Sequence, residues 1–326
     1  MDHYIKKTQP EVIRLLENSF QKDRLSHAYL FEGERGTNKF ATALYFAQML
    51  LCTSDSGKPC QVCDNCKRVV HKTHPNVLVI EPQNGIIKKN QIQALQDEFS
   101  KTAVEPGRKV YIVKDIETIH VAAANSLLKF LEEPHPSIHA ILTTSNIRRT
   151  LPTIISRSQV ISFPAIDQRI IYQKLLDEGL SPEIARIASN LTNNVQEAIA
   201  IASSEYFLDC YDAVTSFYRK LADGEKGLPV YFNQNFSIIF QDKEFFQLLL
   251  SMMILYQKDI LYTLDGDLLH IVFLDKQEEL NLLASQKTKQ ERIKELERML
   301  SLKGKIRSYI NIRLAFDNLF LDLESR

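Results

Sequence analysis

The sequence lacks an excess of either charge: 40 lysines and arginines balance 40 aspartates and glutamates, for a formal net charge of zero. No global field therefore draws the chain to nucleic acid or to a membrane surface, and a free-standing DNA binder usually shows a basic excess. Glycine and proline are few, 10 and 11 in 326 residues, and there is no tandem repeat or low-complexity segment. Long apolar runs are missing too. The longest, around Phe245 to Tyr256, is interrupted by Gln247 and Ser251 and falls short of the roughly 20 residues that cross a bilayer. The stretch Met1 to Lys7 lacks the apolar core of a signal peptide, so a cytoplasmic location is expected. Cysteine is scarce: five residues, four of them within fifteen positions, which does not describe a disulfide scaffold in a chain of this size.

The chain is long enough for two or three domains, each with its own core. Over residues 1–165, apolar runs at His27–Gly33, Asn76–Pro82, Lys109–Asp115, His139–Ser145 and Gln159–Pro164 alternate with helix-like stretches at Lys39 to Leu51, Lys89 to Lys101 and Ala122 to Glu133. Buried strands joined by crossover helices predict an α/β fold with a mainly parallel five-stranded sheet covered on both faces. After Pro164, residues 166–204 are expected to form a small unit of three or so helices, with turns at Gly179 to Pro182 and at Asn193-Asn194. Residues 205–326 are expected to be all helical, with breaks near Gly224–Pro229, Asp265–Asp267 and Gly304. Lys276 to Arg298, charged with scattered leucines, predicts a helical hairpin with a solvated face.

The strongest chemical signal is Cys52, Cys60, Cys63 and Cys66. Two overlapping C-x-x-C steps and one cysteine eight residues upstream can bring four thiolates onto one tetrahedral Zn²⁺, and four sulfurs leave no open position for catalysis. The site is expected to be structural, pinning a loop at about residues 52–66. His71 and His74 are weaker alternative ligands, and Cys210, standing alone, is expected to be a core thiol.

Residues Gly33-Glu34-Arg35-Gly36-Thr37-Asn38-Lys39-Phe40 follow the first apolar run at the point where a parallel sheet presents its strand ends to ligands. A phosphate-binding P-loop needs Gly, four residues, Gly-Lys and then Ser or Thr. Lys39 and the spacing are kept, but Asn38 replaces the second glycine and Phe40 replaces the hydroxyl that holds Mg²⁺. The partner strand should end in Asp-Glu. Here Lys114 stands in place of the metal-holding acid, and Asp115 follows it. The site predicts an ATPase frame that no longer hydrolyses ATP, with ATP binding weak or absent.

The segment Ala123-Ala124-Asn125-Ser126-Leu127-Leu128-Lys129-Phe130-Leu131-Glu132-Glu133-Pro134, then Ile141 to Ser145 and Leu151 to Ser158, resembles the clamp-loader branch of the AAA+ ATPases. Ser26 to Phe31 and the four-cysteine insert extend the resemblance, which covers residues 1–165 with specific motifs. It implies an AAA+ P-loop NTPase core with a zinc insert, a small helical lid at 166–204 and a helical collar at 205–326. It also implies a non-catalytic subunit of the bacterial DNA polymerase III clamp loader, set in a pentameric ring with gamma/tau motor subunits and delta. That ring would load the sliding clamp onto primer-template DNA, in the cytoplasm and at the nucleoid through the replisome. In that family a Ser-Arg-Cys motif presents an arginine finger to a neighbour's ATP; here it is Ser156-Arg157-Ser158. Thr144 falls at the sensor-1 position, Gln196 stands where a second sensor arginine is expected, and Gly33, Gly36, Lys39 and Thr144 form the vestigial nucleotide site. The alternatives are an active ATPase of the superfamily, such as the motor subunit or a helicase loader, and a zinc-dependent nucleic-acid binder.

Overall fold

The computed structural model describes residues 2–54, 57–100, 107–133, 135–236, 242–305 and 311–324; Lys101 and Pro134, each part of an expected element or motif, lie outside them. The chain divides into two compact units, Met1–Asp167 and Gln168–Arg326.

The first unit opens with helices α1 (Asp2–Thr8) and α2 (Pro10–Gln21) and then alternates strands with helices. The strands are β1 (Ala28–Glu32), β2 (Val77–Ile80), β3 (Lys109–Val113), β4 (Ile138–Thr144) and β5 (Gln159–Ser162); the helices between them are α3 (Lys39–Leu51), α4 (Asp64–Val70), α5 (Lys89–Ser100), α6 (Val121–Glu132) and the short α7 (Pro152–Ile155). Four of the strands fall inside the runs expected from the sequence, and β4 begins one residue before its run. They form one parallel sheet in the order β2-β3-β4-β1-β5.

Successive side chains on a strand point to opposite faces, and here both faces are apolar. Tyr29 and Phe31 of β1 join Val110, Ile112 and Ile141 in a core covered by α1, α2 and α3. Ala28 and Leu30 join Tyr111, Val113, Ala140 and Leu142 in a second core under α5 and α6. Two-sided burial is why these strands read as continuous apolar runs. Because β1 lies between β4 and β5, the loop after β1 leaves the sheet at its carboxyl end, flanked by the ends of both neighbours.

The second unit is helical among its described residues. Helices α8 (Gln168–Asp177), α9 (Pro182–Leu191) and α10 (Val195–Ala202) come first. Ser181 and Asn194 cap the latter two by accepting backbone N–H bonds from Ile184 and from Gln196 and Glu197, so the turn signals mark real helix starts. Then follow α11 (Tyr206–Ala222), α12 (Leu228–Asn235), α13 (Lys243–Asp265), α14 (Gln277–Gln286), α15 (Lys289–Lys305) and α16 (Ile312–Glu324). The apolar run around Phe245 to Tyr256 is the buried centre of α13, and among the described residues no helix is long and apolar enough to cross a membrane.

The expected break near Gly304 falls at the end of α15, which runs one residue past the glycine to Lys305, and α16 begins at Ile312. The hairpin of α14 and α15 forms and keeps a solvated face, while Arg292 and Glu295 of α15 turn into the core. The Arg292 guanidinium pairs with Glu295 at 2.9 Å and donates to the Leu283 carbonyl at 2.5 Å, while Lys287 and Gln257 also bond Glu295. Buried charge is tolerated when paired and hydrogen-bonded in this way.

Candidate functional site

The loop after β1 is tied to both neighbouring strands at its first residue. The N–H of Gly33 donates to the Thr144 carbonyl, continuing the β1–β4 ladder, and a Cβ at Gly33 would lie 2.4 Å from the Phe163 carbonyl oxygen. Gly36 and Asn38 both adopt positive φ, 86° and 61°. Asparagine enters the left-handed region more readily than most residues, which explains how Asn38 occupies a glycine position. Its side chain turns outward to donate to Thr8 Oγ1 at 3.0 Å. Gln9, buried between α1 and α2, donates to the carbonyls of Thr37 (3.1 Å) and Pro164 (2.9 Å). The two N-terminal helices thus clasp the loop, a contact that no local sequence pattern announces.

Lys39 is buried, and its ammonium is consumed by the loop itself. Nζ donates to the carbonyls of Gly33 (2.6 Å) and Glu34 (2.5 Å) and to Thr37 Oγ1 (3.2 Å). Burial pushes its pKa below the ordinary lysine value, against the opposing field of Asp115, Glu117 and Glu32. Phe40, one residue on, packs against the core of the first sheet face. Two ammoniums lie over its ring: Lys72 Nζ at 4.9 Å and Lys114 Nζ at 5.6 Å from the centroid. Lys72 also pairs with Glu81 at 2.7 Å. The place of a magnesium-holding hydroxyl and its supporting acid is taken by an aromatic ring and two cations.

Across the cleft, Asp115 adopts positive φ, and burial and the Glu117 charge raise its pKa above the ordinary carboxylate value. Burial would raise Glu117 as well, but hydrogen bonds from the Ser145 hydroxyl and backbone hold it below its usual range. Thr144 is buried; its hydroxyl accepts from the Asn146 N–H and from Thr150 Oγ1, both at 3.1 Å. It buttresses the turn after β4. Gln196 sits in the second unit, in the first turn of α10, with its side chain exposed.

Arg157 follows α7. Its Nη2 pairs with Glu132 Oε1 at 2.8 Å, and Nη1 donates to the Thr153 carbonyl (3.1 Å) and Ser156 Oγ (3.3 Å). Ser158 turns inward, and its hydroxyl has no hydrogen-bond partner among the described residues.

The four cysteines converge. Cys52 ends α3, Cys63 caps α4, Cys66 lies in its first turn, and all four sulfurs lie within 4.8 Å of one another. Tetrahedral Zn²⁺ with Zn–S of about 2.3 Å sets sulfurs about 3.8 Å apart, so small shifts give a closed site. Backbone N–H groups already point at the sulfurs: Cys60 to Cys52, Cys63 to Cys60 and Cys66 to Cys63, at 3.3–3.4 Å. Against its burial, N–H bonds from Cys66 and Thr53 bring the Cys63 thiol down to about 6, toward the thiolate a metal requires. Gln48 and Asn65 bond across to the Cys66 and Leu51 carbonyls and fix the insert to α3. His71 and His74 do not belong to the group; His74 instead accepts from the Asn76 N–H. Cys210 is buried in α11 and donates to the Phe245 carbonyl, as a core thiol.

A family model described as DNA polymerase III, delta subunit, matches residues 8–167, nearly the whole first unit. The DNA polymerase III subunit delta' of Bacillus subtilis is 38% identical over 317 residues, covering 97% of this chain and 96% of that protein. The chain belongs to the delta-prime family of DNA polymerase III subunits. The Pseudomonas aeruginosa delta' is also 38% identical, over 40% of this chain and 41% of its own length. The Bacillus subtilis tau subunit is 32% identical over 59% of this chain but only 36% of its own length. Among solved structures, a gamma subunit-related protein of Thermotoga maritima is 21% identical, covers 95% of this chain and 98% of its own, and has a TM-score of 0.43. A delta-prime member is a clamp-loader subunit, and its work is DNA replication.

Proposed function

We propose that this delta-prime member is silent toward ATP in its own pocket and acts on the nucleotide of a neighbour. The observation that carries this is the Phe40 ring beneath Lys114 and Lys72. A ring has no lone pair for Mg²⁺, and two ammoniums beside it repel a divalent cation. Lys39, with three hydrogen bonds to its own loop, must break them to reach a phosphate, which favours weak or no ATP binding.

Arg157 is the solvent-accessible cation that remains for a neighbour, its side chain 36% exposed. We assign it as the arginine finger, with Ser156 beside it, placed against the triphosphate of an adjacent gamma/tau subunit in a ring that also holds delta. Such fingers stabilise charge on the transferring phosphoryl group and are worth about 10³–10⁵ in rate. Cys52, Cys60, Cys63 and Cys66 hold a structural Zn²⁺, which ties the end of α3 to α4 and supplies no chemistry to the pocket. The ring loads the sliding clamp onto primer-template DNA. Residues 166–204 serve as the lid and residues 205–326 as this chain's share of the collar.

Reconstitution with the motor subunits, delta and clamp tests the assignment. Arg157→Ala is expected to leave assembly intact and to lower the DNA-stimulated ATPase of the complex by at least about tenfold; an unchanged rate would sink the finger role. Turnover by the isolated chain, abolished by Lys39→Ala, would favour the active-ATPase alternative.

A further inference from the structure

Glu132 is the last residue of α6, and a carboxylate at a helix C-terminus faces the negative end of the helix dipole. It therefore does nothing for its own helix. Its carboxylate instead reaches Arg157 Nη2 at 2.8 Å, while Nη1 of the same guanidinium caps the Thr153 carbonyl in α7. Both side chains remain open to solvent, 36% exposed for Arg157 and 48% for Glu132. Exposed ion pairs are weak, so this one can be exchanged for a stronger acceptor.

We propose that Glu132 is a positioning residue that parks Arg157 on its own subunit and releases it only to a neighbour's triphosphate. The inference rests on the finger role of Arg157. Paired with Glu132, the guanidinium projects little net positive charge, and the carboxylate beside it repels an approaching phosphate. A triphosphate carries more negative charge than one carboxylate and accepts a guanidinium in bidentate geometry. It displaces Glu132 once the subunit interface closes. The parked pair thereby suppresses hydrolysis in the ring until clamp and DNA bring the subunits together.

The test uses the reconstituted complex of this chain with motor subunits and delta, comparing wild type, Glu132→Ala, Glu132→Gln and Arg157→Ala, with and without clamp and primed DNA. Glu132→Ala is expected to raise the unstimulated ATPase about two- to fivefold, the range set by a weak exposed ion pair. The stimulated maximum should change less than about twofold. Glu132→Gln, which keeps the packing and a hydrogen bond, should raise the unstimulated rate by less. Adding Glu132→Ala to Arg157→Ala should change nothing further, because the carboxylate acts only through the finger. Glu132→Ala with a wild-type unstimulated rate, or with a loss of stimulated rate resembling Arg157→Ala, would overturn the parking role. Arg157→Ala without effect would instead remove the finger role beneath it.

Discussion

The Lys114 ammonium stands 5.6 Å above the centre of the Phe40 ring. They occupy the two positions where the P-loop pattern expects a hydroxyl and a metal-holding acid, and they face each other. Each change alone would leave a fault: an aromatic ring at a polar cleft, or a cation without a partner. Together they make a cation–π contact worth about 0.5–1 kcal/mol at a partly exposed site. The ring and the ammonium pack against each other in the cleft.

That pairing predicts how hard the pocket is to revive. Phe40→Ser restores an oxygen but leaves Lys114 over it, so no Mg²⁺-dependent ATP binding tighter than about 1 mM is expected by titration calorimetry. Tight Mg²⁺-dependent binding after this single change would show that Lys114 does not block the metal.

Ser158 offers a stability test. Its hydroxyl is buried without a partner, and leaving such a group unsatisfied costs about 1–3 kcal/mol. The clamp-loader motif has cysteine there, a small side chain whose thiol is cheaper to bury. Ser158→Cys is expected to stabilise the chain by about 1 kcal/mol in urea unfolding. A lower midpoint for the variant would mean the hydroxyl is satisfied after all.

Metal content probes the insert. Freshly prepared protein should carry about one zinc per chain, and Cys66→Ser should lose it. Because structural zinc couples binding to folding, hydrogen exchange over residues 52–70 should rise on chelation while the β1, β3 and β4 amides stay protected. Unchanged protection of 52–70 without metal would speak against the site.

Asp259 predicts a pH dependence in the second unit. It is fully buried in α13, and burial pushes its pKa up from 3.8 to about 7, against the N–H bonds it accepts from Val272 and Phe273. The folded state therefore keeps this proton at pH values where the unfolded chain has lost it. Stability from this group is full below about pH 4, falls as the pH rises, and is gone above about pH 7, a change on the order of a few kcal/mol. Asp259→Asn cannot titrate, so its urea midpoint should vary less between pH 5 and pH 8, conditions of about one proton's difference at this site. An equally steep profile in the variant would assign the dependence to other groups.

The sequence by itself determined much of the frame. Five apolar runs became the five strands because two-sided burial writes itself as continuous hydrophobicity. The four cysteines were legible because metal ligation requires a residue type at a spacing, and the local fold then brought their sulfurs together. Asn38, Phe40 and Lys114 were legible as departures from the P-loop pattern because its chemistry tolerates few residue types at those positions. Only the tertiary structure decided how those residues are used. Gln9 holds the loop from 28 positions away in sequence, and Glu132 meets Arg157 across 25. Neither pairing has a periodicity, since contacts between elements follow the packing of the whole sheet. Arg292 and Glu295 make the same point: a charged helix reads as solvated until paired groups on neighbouring helices make burial possible. Residue type and spacing fix which chemistry a site can offer, and the folded chain fixes what each charge is held against.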